Sequence, residues 1–329
     1  MIGQTSLVLR ETKLIERIRR MAGGGAGSRD AAKGAVIRGI GDDCAVLRVR
    51  PGFELLVTTD LCIEGIHFRK EWHPPKSVGH RCLTRGLSDI AAMGGEPLAC
   101  FLSLGLPSTL AQSWVDGFLH GLQDLARRSK VRLAGGDISS SKQLTADIVV
   151  AGQVPAGSAL LRSGARSGDR IYVTGNLGGS AAVLKQLYAG QEMRPAKTSR
   201  HFYPVPRIEA ATWLRQKALA NSMIDLSDGL SVDLGHICTE SGVSATIYAD
   251  RVPVAKGADL PLALHGGEDY ELLFTAPART KLPRSIGGIQ VTEIGLIKKR
   301  SNYSSAIQIV DENGKVRPLA SLGWEHFRR

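Results

Sequence analysis

The chain has 329 residues, of which 43% are hydrophobic and 22% are charged, and its formal net charge is +11. This length suggests about two domains of ordinary size, and the composition is typical of a globular protein with a full hydrophobic core. No run of about 18 apolar residues is present, so no membrane span is expected. Residues 1–10 lack the layout of a signal peptide.

The excess of basic residues does not by itself predict a nucleic-acid-binding protein. The basic residues are dispersed along the chain, and aromatic residues are not interleaved with them as in single-strand-binding surfaces. A solvated basic surface is therefore the first interpretation, attraction of phosphorylated metabolites the second, and nucleic acid the third. The cysteines are odd in number, form no C-x-x-C pair and predict reduced thiols in the cytoplasm; they are Cys44, Cys62, Cys82, Cys100 and Cys238.

The first half of the chain predicts strands and helices in mixed order. Apolar residues at helical spacing, such as Leu14 and Ile18, predict an N-terminal helix. The Gly-rich run after it predicts a flexible connection, because it lacks the Lys-Ser/Thr of a P-loop. The other predicted elements are strands over 44–49, 55–60, 98–106, 131–133 and 144–154, a helix over 77–93, and a helix capped by Ser108.

The pattern restarts near residues 155–157, which predicts a domain boundary and two domains, 1–155 and 156–329. Mixed strands and helices with hairpin-length gaps predict an α/β or α+β fold class. The predicted elements here are strands over 170–174, 222–226, 245–248, 270–275, 291–297 and 306–310, and helices from Ser180, over 207–219 and over 229–241.

Aspartates recur beside Gly, Ser and Thr at the predicted ends of these elements. Asp60 lies at the end of an apolar strand, Asp225 lies near the end of another, and Asp137 follows a third. The carboxyl ends of strands are common ligand sites, and hard oxygen donors suit magnesium bound together with substrate phosphates. The whole set is Asp42, Asp43, Asp60, Asp89, Asp137, Asp225 and Asp228.

Asp89 gives the sharpest local argument. It falls seven residues after Cys82, on the predicted helix face that also carries Val78 and Met93. A buried carboxylate is costly unless it is paired, hydrogen-bonded or bound to metal. Taken alone, the position of Asp89 favours a structural role, in which its carboxylate pairs with a neighbouring backbone group or arginine. Taken with the other aspartates, it favours a role as a metal ligand.

Each remaining motif also has a plain structural interpretation. Gly-Asp-Asp at 41–43 is compatible with a turn, and 225–229 with a helix start capped by Ser227 or Asp228. Residues 266–270 are compatible with a loop into a strand. The sequence contains no G-x-x-x-x-G-K-[ST], no H-R-D catalytic loop, no H-E-x-x-H and no G-x-S-x-G, which excludes the classes that need them.

The motifs become specific when they are taken together and in order. They occupy residues 39–46, 58–60, 64–68, 87–94, 135–137, 162–165, 225–230, 266–272 and 323–327. This succession, which covers nearly the whole chain, resembles the thiamine-monophosphate kinase family. The resemblance implies a PurM-like two-domain architecture and a homodimer formed through the N-terminal domains. The N-terminal domain would carry the metal and ATP site, and the C-terminal domain nucleotide and substrate contacts. The implied activity converts ATP and thiamine monophosphate to ADP and thiamine diphosphate.

The resemblance also implies residue roles at the matched positions. The implied ligands of several magnesium ions are Asp43, Thr58, Thr59, Asp60, Asp89, Asp137, Asp225 and Asp228, of which Asp60, Asp89, Asp137 and Asp228 are the implied catalytic residues. The implied nucleotide contacts are Gly136, Asp137, Arg162 and Ser227. The implied substrate contacts are His67, Glu268 and Trp324. An indole face can stack on a cationic thiazolium, whereas the alternative for Trp324 is a buried C-terminal anchor.

Three positions depart from the family pattern, and four rival assignments fit the sequence less well. Gly86 stands where Asn is typical, Gly95 where Ala is usual, and Ile138-Ser139 where Thr-Thr is common. Selenophosphate synthetase would need a reactive Cys or selenocysteine in a Gly-rich N-terminal segment, and the hydrogenase-maturation protein of this fold a C-terminal Cys. Aminoimidazole ribonucleotide synthase lacks the signatures at 225–228 and Trp324. A basic RNA-binding protein would not need these aspartates, which repel a phosphate backbone unless metals bridge them.

Overall fold

The computed structural model describes residues 11–22, 35–40, 44–193, 195–196, 199–300 and 306–324. The chain forms two compact units that interleave along the sequence. Unit 1 contains Met1–Ile90, Glu96–Ala156 and Pro195–Tyr203; unit 2 contains Ala91–Gly95, Gly157–Arg194 and Pro204–Arg329. Each unit therefore includes a short segment from the other half of the sequence. The domain ranges 1–155 and 156–329, and the roles attached to them, stay predictions.

Unit 1 is built on a four-stranded sheet in the order β3-β6-β4-β5. Strands β4 and β5 are parallel, and the other pairs are antiparallel. Fully buried residues of α2 and α3, among them Leu87 and Phe118, form the core with Ile148 of β6. The elements are α1 (Glu11–Met21), β1 (Val36–Arg38), β2 (Val46–Leu47), β3 (Phe53–Ile63), α2 (Pro75–Ala92), β4 (Glu96–Leu106), α3 (Gln112–Arg128), β5 (Arg132–Ser140) and β6 (Thr145–Pro155).

Unit 2 has a larger sheet in the order β14-β13-β9-β12-β7-β10-β8, with β11 paired to β12. Alternate residues of β7 enter different cores: Ile171 packs in a cluster with Leu234 of α6, and Tyr172 in one with Leu214 of α5. Helices thus cover both faces of this sheet. Its elements are β7 (Arg170–Thr174), α4 (Gly179–Tyr188), α5 (Ile208–Gln216), β8 (Ser222–Asp225), α6 (Leu230–Ser241), β9 (Val243–Tyr248), α7 (Leu260–His265), β10 (Leu272–Ala276), β11 (Ser285–Ile286), β12 (Ile289–Lys299), β13 (Ile307–Val310) and β14 (Val316–Pro318).

Several element ends differ from the prediction, and three of these differences arise from pairing with distant residues or from a different cap. Strand β3 continues to Ile63, since every residue from Phe53 onward pairs with β6. Strand β5 continues from Arg132 to Ser140, since its Gly-rich part pairs with β4. Helix α3 begins at Gln112, with Ala111 as N-cap and no side-chain cap, so the prediction of Ser108 as its cap is wrong.

Among the described residues, no helix is both long enough and apolar enough to cross a membrane.

Candidate functional site

In unit 1, three of the predicted residues meet where β3 faces α2. The Thr58 hydroxyl donates a hydrogen bond to the Asp89 carboxylate, and Arg85 Nε donates to Asp60 Oδ1 over 2.7 Å. Residues two apart on a strand share a face, and residues four apart on a helix share a face. Thr58 and Asp60 of β3 therefore face Arg85 and Asp89 of α2. This arrangement places two carboxylates, a hydroxyl and a guanidinium close together.

This arrangement corrects two of the reasons for which the aspartates were chosen. Asp60 does not end its strand, because β3 runs on to Ile63. Asp89 is half-buried on a helix that is buried almost all round, so it does not mark a single apolar face. The Thr58 hydroxyl is one hydrogen-bond partner of its carboxylate.

Thr59 lies on the opposite face of β3 from Thr58 and Asp60. Its hydroxyl donates to Asp147 Oδ1 on β6 over 2.9 Å. Alternation along a strand requires this separation, since neighbouring residues point to opposite faces. The structure therefore does not bring Thr59 together with the Thr58, Asp60 and Asp89 group.

Asp137 lies inside β5 rather than after its end, so that expectation is wrong. In register, Gly136 pairs with Leu102, Leu102 with Ile148, and Ile148 with Asp60. Three strand spacings of about 4.8 Å separate Gly136 from Asp60, or roughly 14 Å. Asp137 and Asp60 thus belong to opposite edges of the sheet, too far apart for one ion to contact both carboxylates directly.

Strand β5, which contains Asp137, borders a small apolar cavity. Its volume is about 110 Å³, and its lining includes Ile15 and Ile18 of α1, Leu133, Gly136 and Asp137. Gly136 has φ 149°, and a Cβ there would lie 1.9 Å from the Leu102 carbonyl oxygen. Only glycine fits this approach, so a backbone free of side-chain atoms lines the cavity next to a carboxylate.

His67 follows β3 and has a fixed ring orientation. Its Nδ1 accepts a hydrogen bond from the Ile63 backbone N–H over 3.0 Å, and its carbonyl oxygen accepts from Arg81 over 3.3 Å. The first bond requires an unprotonated Nδ1, which places the proton of the neutral imidazole on Nε2. Asp42 and Asp43 lie outside the described residues, as does the whole Gly-rich run.

In unit 2, three distant segments of the sequence converge through main-chain hydrogen bonds. Glu268 N donates to Ser227 O over 2.8 Å, and Trp324 N donates to Asp228 O over 3.0 Å. These bonds bring together Ser227, Asp228, Glu268 and Trp324, for all of which the family resemblance implies a role in the site. Trp324 is 50% exposed, so the alternative of a buried anchor is wrong.

A carboxylate that the sequence analysis missed organises this convergence. Asp233 is buried and accepts hydrogen bonds from the backbone N–H groups of Asp228 and Gly229 over 3.2 and 3.0 Å. It therefore provides acceptors for backbone N–H groups at the start of α6. The N-cap of this helix is Gly229, so the prediction that Ser227 or Asp228 is the N-cap is wrong. Burial, and then the charges of Asp225 and Asp228, raise the pKa of Asp233 well above its usual value.

The same region gathers candidate cation ligands. Asp225 is buried at the end of β8, and ligand atoms of Asp228, Asp233 and His236 lie within 4.8 Å of one another. His236 is one helical turn after Asp233, a spacing that was visible in the sequence. Arg162 lies on the exposed surface before β7, where its carbonyl oxygen accepts a hydrogen bond from Ser241 Oγ over 3.0 Å.

Comparison with known proteins identifies the family. The model of the AIR synthase related protein N-terminal domain matches residues 41–154, and that of the C-terminal domain matches residues 166–306. A thiamine-monophosphate kinase of Escherichia coli K12 is 40% identical over 306 residues, which cover 88% of this chain and 91% of that protein. The chain belongs to the thiamine-monophosphate kinase family. A Bacillus subtilis member of the family is 32% identical, with 88% of this chain and 93% of the relative covered.

Solved structures of the family agree with this result. The thiamine-monophosphate kinase of Stenotrophomonas maltophilia has a TM-score of 0.78 at 34% identity, with 92% of this chain and 97% of that chain covered. A structure described as AaThiL complexed with AMPPCP and TMP has a TM-score of 0.74 at 30% identity, with 98% and 100% covered. The hydrogenase maturation protein HypE, at 16% identity, shares the fold. The predicted family and mixed α/β fold are confirmed.

One departure from the family pattern has a packing reason. A Cβ at Gly86 would lie 2.6 Å from Val150 Cγ2 on the neighbouring strand. An Asn at this position would therefore require β6 to shift or Val150 to be smaller. Gly86 lets α2 lie close to the sheet one residue after Arg85, at the turn that also presents Asp89.

Proposed function

We propose that the chain performs its thiamine-monophosphate kinase reaction with the Thr58, Asp60 and Asp89 group of unit 1. In this reaction the terminal phosphoryl group of ATP passes to the phosphate of thiamine monophosphate. The observation that carries the proposal is the meeting of β3 and α2, where two carboxylates and a hydroxyl face the same space. Such oxygen donors are what two polyanionic substrates require in order to share bound cations.

The donor set suits magnesium. Carboxylate and hydroxyl oxygens are hard ligands, and Mg²⁺ takes one or two carboxylates together with substrate phosphates. Thr58, Asp60 and Asp89 would hold it in unit 1, and Asp225 and Asp228 in unit 2. Burial raises the pKa of Asp233, and the nearby charges of Asp225 and Asp228 raise it further, so these three carboxyl groups lie close enough to interact. Bound magnesium neutralises phosphate charge and aligns the two substrates.

The acceptor needs no general base. A phosphate monoester has a second pKa of about 6, so the attacking oxygen is largely ionised near pH 7. The task of the protein is therefore to overcome repulsion between two anions and to hold them in line. Arg85 is already bound to Asp60 and keeps positive charge beside these carboxylates.

The remaining predicted residues receive complementary roles in the proposal. The apolar cavity beside Gly136 and Asp137 in unit 1 has the chemistry to take an adenine ring. Within unit 2, Arg162 and Ser227 are the proposed nucleotide contacts. Thiamine carries a cationic thiazolium, which suits the Glu268 carboxylate and the exposed face of Trp324. His67 would donate a hydrogen bond from Nε2 to the substrate.

The five cysteines, all within the described part of the chain, are free thiols that form no disulfides. We infer a cytoplasmic location from this state.

A direct assay tests the reaction. The purified chain is incubated with ATP, magnesium chloride and thiamine monophosphate, and the products are separated by chromatography. We expect thiamine diphosphate and ADP in equal amounts, and no product when EDTA replaces magnesium. Thiamine and pyridoxal phosphate serve as alternative acceptors. ATP consumption with one of these, but none with thiamine monophosphate, would overturn the substrate assignment.

We also propose that two copies pair through β3 of unit 1. This strand is an edge of its sheet, and Leu55, Val57 and Leu61 project from it with about half or more of their surface exposed. Exposed apolar residues on an unprotected edge favour association, and a second copy supplies the same surface.

We expect Val57→Glu to convert a dimer into a monomer in sedimentation equilibrium at micromolar concentration, because two like charges would face each other in an apolar interface. Val57 is 62% exposed, so the monomer itself should fold normally. Val316→Glu, on an exposed strand of unit 2, is the matched control and should leave the mass unchanged. A dimeric Val57→Glu variant would place the interface elsewhere.

A further inference from the structure

The loop between α7 and β10 has an unusual backbone. Glu268 has φ 63° and Tyr270 has φ 51°, so two residues other than glycine adopt the left-handed conformation on either side of Asp269. Such residues are uncommon in this region and persist only where surrounding contacts fix them. The conformation of Glu268, the proposed substrate contact, therefore depends on the contacts that fix Asp269 and Glu271.

Asp269 is held in the interior rather than at the surface. It is 6% exposed, and its Oδ2 accepts a hydrogen bond from Gly178 N over 2.7 Å while Oδ1 accepts from Ser180 N over 3.4 Å. Gly178 is the N-cap of α4, a helix of ten residues. Burial raises the pKa of Asp269 to about 7, although the bonds from Gly178 and Ser180 act in the opposite direction. Its side chain thus fastens the loop to the start of α4.

The rest of the loop is anchored on both sides of Asp269. Glu268 N and Tyr270 N donate to Ser227 O and Leu226 O. Glu271 is bound by Arg207 and by Thr174 Oγ1, the latter over 2.7 Å. The main-chain bonds fix where the loop lies. The Asp269 side chain fixes the backbone rotation between Glu268 and Tyr270, because it ties residue 269 to α4 while both neighbours are left-handed.

We propose that Asp269 is a positioning residue for substrate recognition: by tying the loop to the N-terminus of α4, it holds Glu268 in the conformation that contacts the thiamine part of the substrate. The inference rests on the proposed substrate role of Glu268. The buried Asp269 and the half-buried Glu268 of the Gly-Gly-Glu-Asp-Tyr segment therefore have different roles. Asp269 acts through Glu268 and does not itself touch the substrate.

Asp269→Asn in the full chain tests the inference. The amide keeps one acceptor oxygen, but its NH₂ group faces a second N–H that it cannot satisfy. We expect the KM for thiamine monophosphate to rise about tenfold, with kcat and the KM for ATP unchanged within twofold. Glu268→Gln should raise the same KM, and the double variant should be no worse than Glu268→Gln alone, since one residue acts through the other.

A matched control separates positioning from general damage. Asp169 is another buried carboxylate of unit 2, which accepts hydrogen bonds from Arg166 N over 2.9 Å and from Asn221 Nδ2. Asp169→Asn should lower thermal stability without changing the KM for thiamine monophosphate. If Asp269→Asn does not fold, Asp269→Ser, which is smaller and keeps one acceptor, takes its place in the same cycle.

The outcomes distinguish the two proposals. Normal turnover by the wild-type chain together with an unchanged KM in the Asp269 variant, or with fully additive effects in the double variant, would overturn the inference and leave the proposed function standing. Absence of thiamine diphosphate from the wild-type reaction would remove the proposed function and the inference with it.

Discussion

Asp60→Asn is expected to lower kcat by about a thousandfold while the protein stays folded. Losing a single preorganised electrostatic contact to a reacting group typically costs a hundred- to a thousandfold in rate, and a cation ligand acts on two phosphates at once. The substitution keeps the size and shape of the side chain, and Asp60 retains 24% of its side-chain exposure. The structural cost should therefore be small, since solvent can reach both the amide introduced by the substitution and the end of Arg85.

The measurement is kcat for thiamine diphosphate formation at saturating ATP, repeated over a range of magnesium concentrations. A ligand role predicts that the variant needs more magnesium for half-maximal rate, which a purely structural role would not change. Asp147→Asn is the matched control, because Asp147 belongs to the same sheet but contacts Thr59 on the other face. Equal losses in the two variants, or a normal rate for Asp60→Asn, would contradict the assignment.

The order of helices and strands was largely predictable from local patterns, whereas several of their ends were not. Strand β7 occupies Arg170–Thr174 as predicted, because a short apolar run between polar residues defines it. The apolar pattern predicts only a short strand over 131–133, and the glycine and aspartate residues after it are poor strand formers. Pairing of Gly136 and Asp137 with Leu102 and Ser103 of β4 overrides that preference. Such pairing depends on residues more than 30 positions away, which local patterns do not contain.

The identity of many candidate site residues was predictable, but their grouping was not. Motif order selected Thr58, Asp60 and Asp89, and the structure brings these three together. The same motifs also selected Thr59 and Asp137, which register places on the other face and at the other edge of the sheet. The roles of Asp233 and Asp269 could not be predicted even though Asp269 lies in the motif at 266–272, because these side chains accept hydrogen bonds from backbone groups that the fold brings near.

The buried ion pair between Arg207 and Glu271 accounts for a second large expected effect. Arg207 Nε donates a hydrogen bond to Glu271 Oε2 over 2.6 Å, and Arg207 Nη2 donates to Glu271 Oε1. Both side chains are only 4% exposed. Thr174 Oγ1 adds a third bond to the same carboxylate. Arg207→Met removes the charged partner but keeps much of the apolar stem, so a buried carboxylate is left without its cation.

Arg207→Met is therefore expected to destabilise the protein by about 3–5 kcal/mol, the usual cost of removing one partner from a buried ion pair. Urea unfolding followed by circular dichroism measures the change, with the early transition assigned to unit 2 if the two units unfold separately. Arg170→Met is the control: its pair with Glu293 is 3.4 Å long and partly exposed, so its loss should cost less than about 1 kcal/mol.

The double variant Arg207→Met with Glu271→Gln decides what the ion pair contributes. If the single variant suffers because a charge is left buried, then neutralising that charge should recover most of the lost stability. If the double variant is as unstable as the single one, the loss comes from packing around the arginine stem instead. Recovery would also mean that the charge of Glu271 is not required for folding. The Arg207–Glu271 pair would then serve to hold the C-terminal end of the Glu268 loop, next to Asp269, in one fixed position.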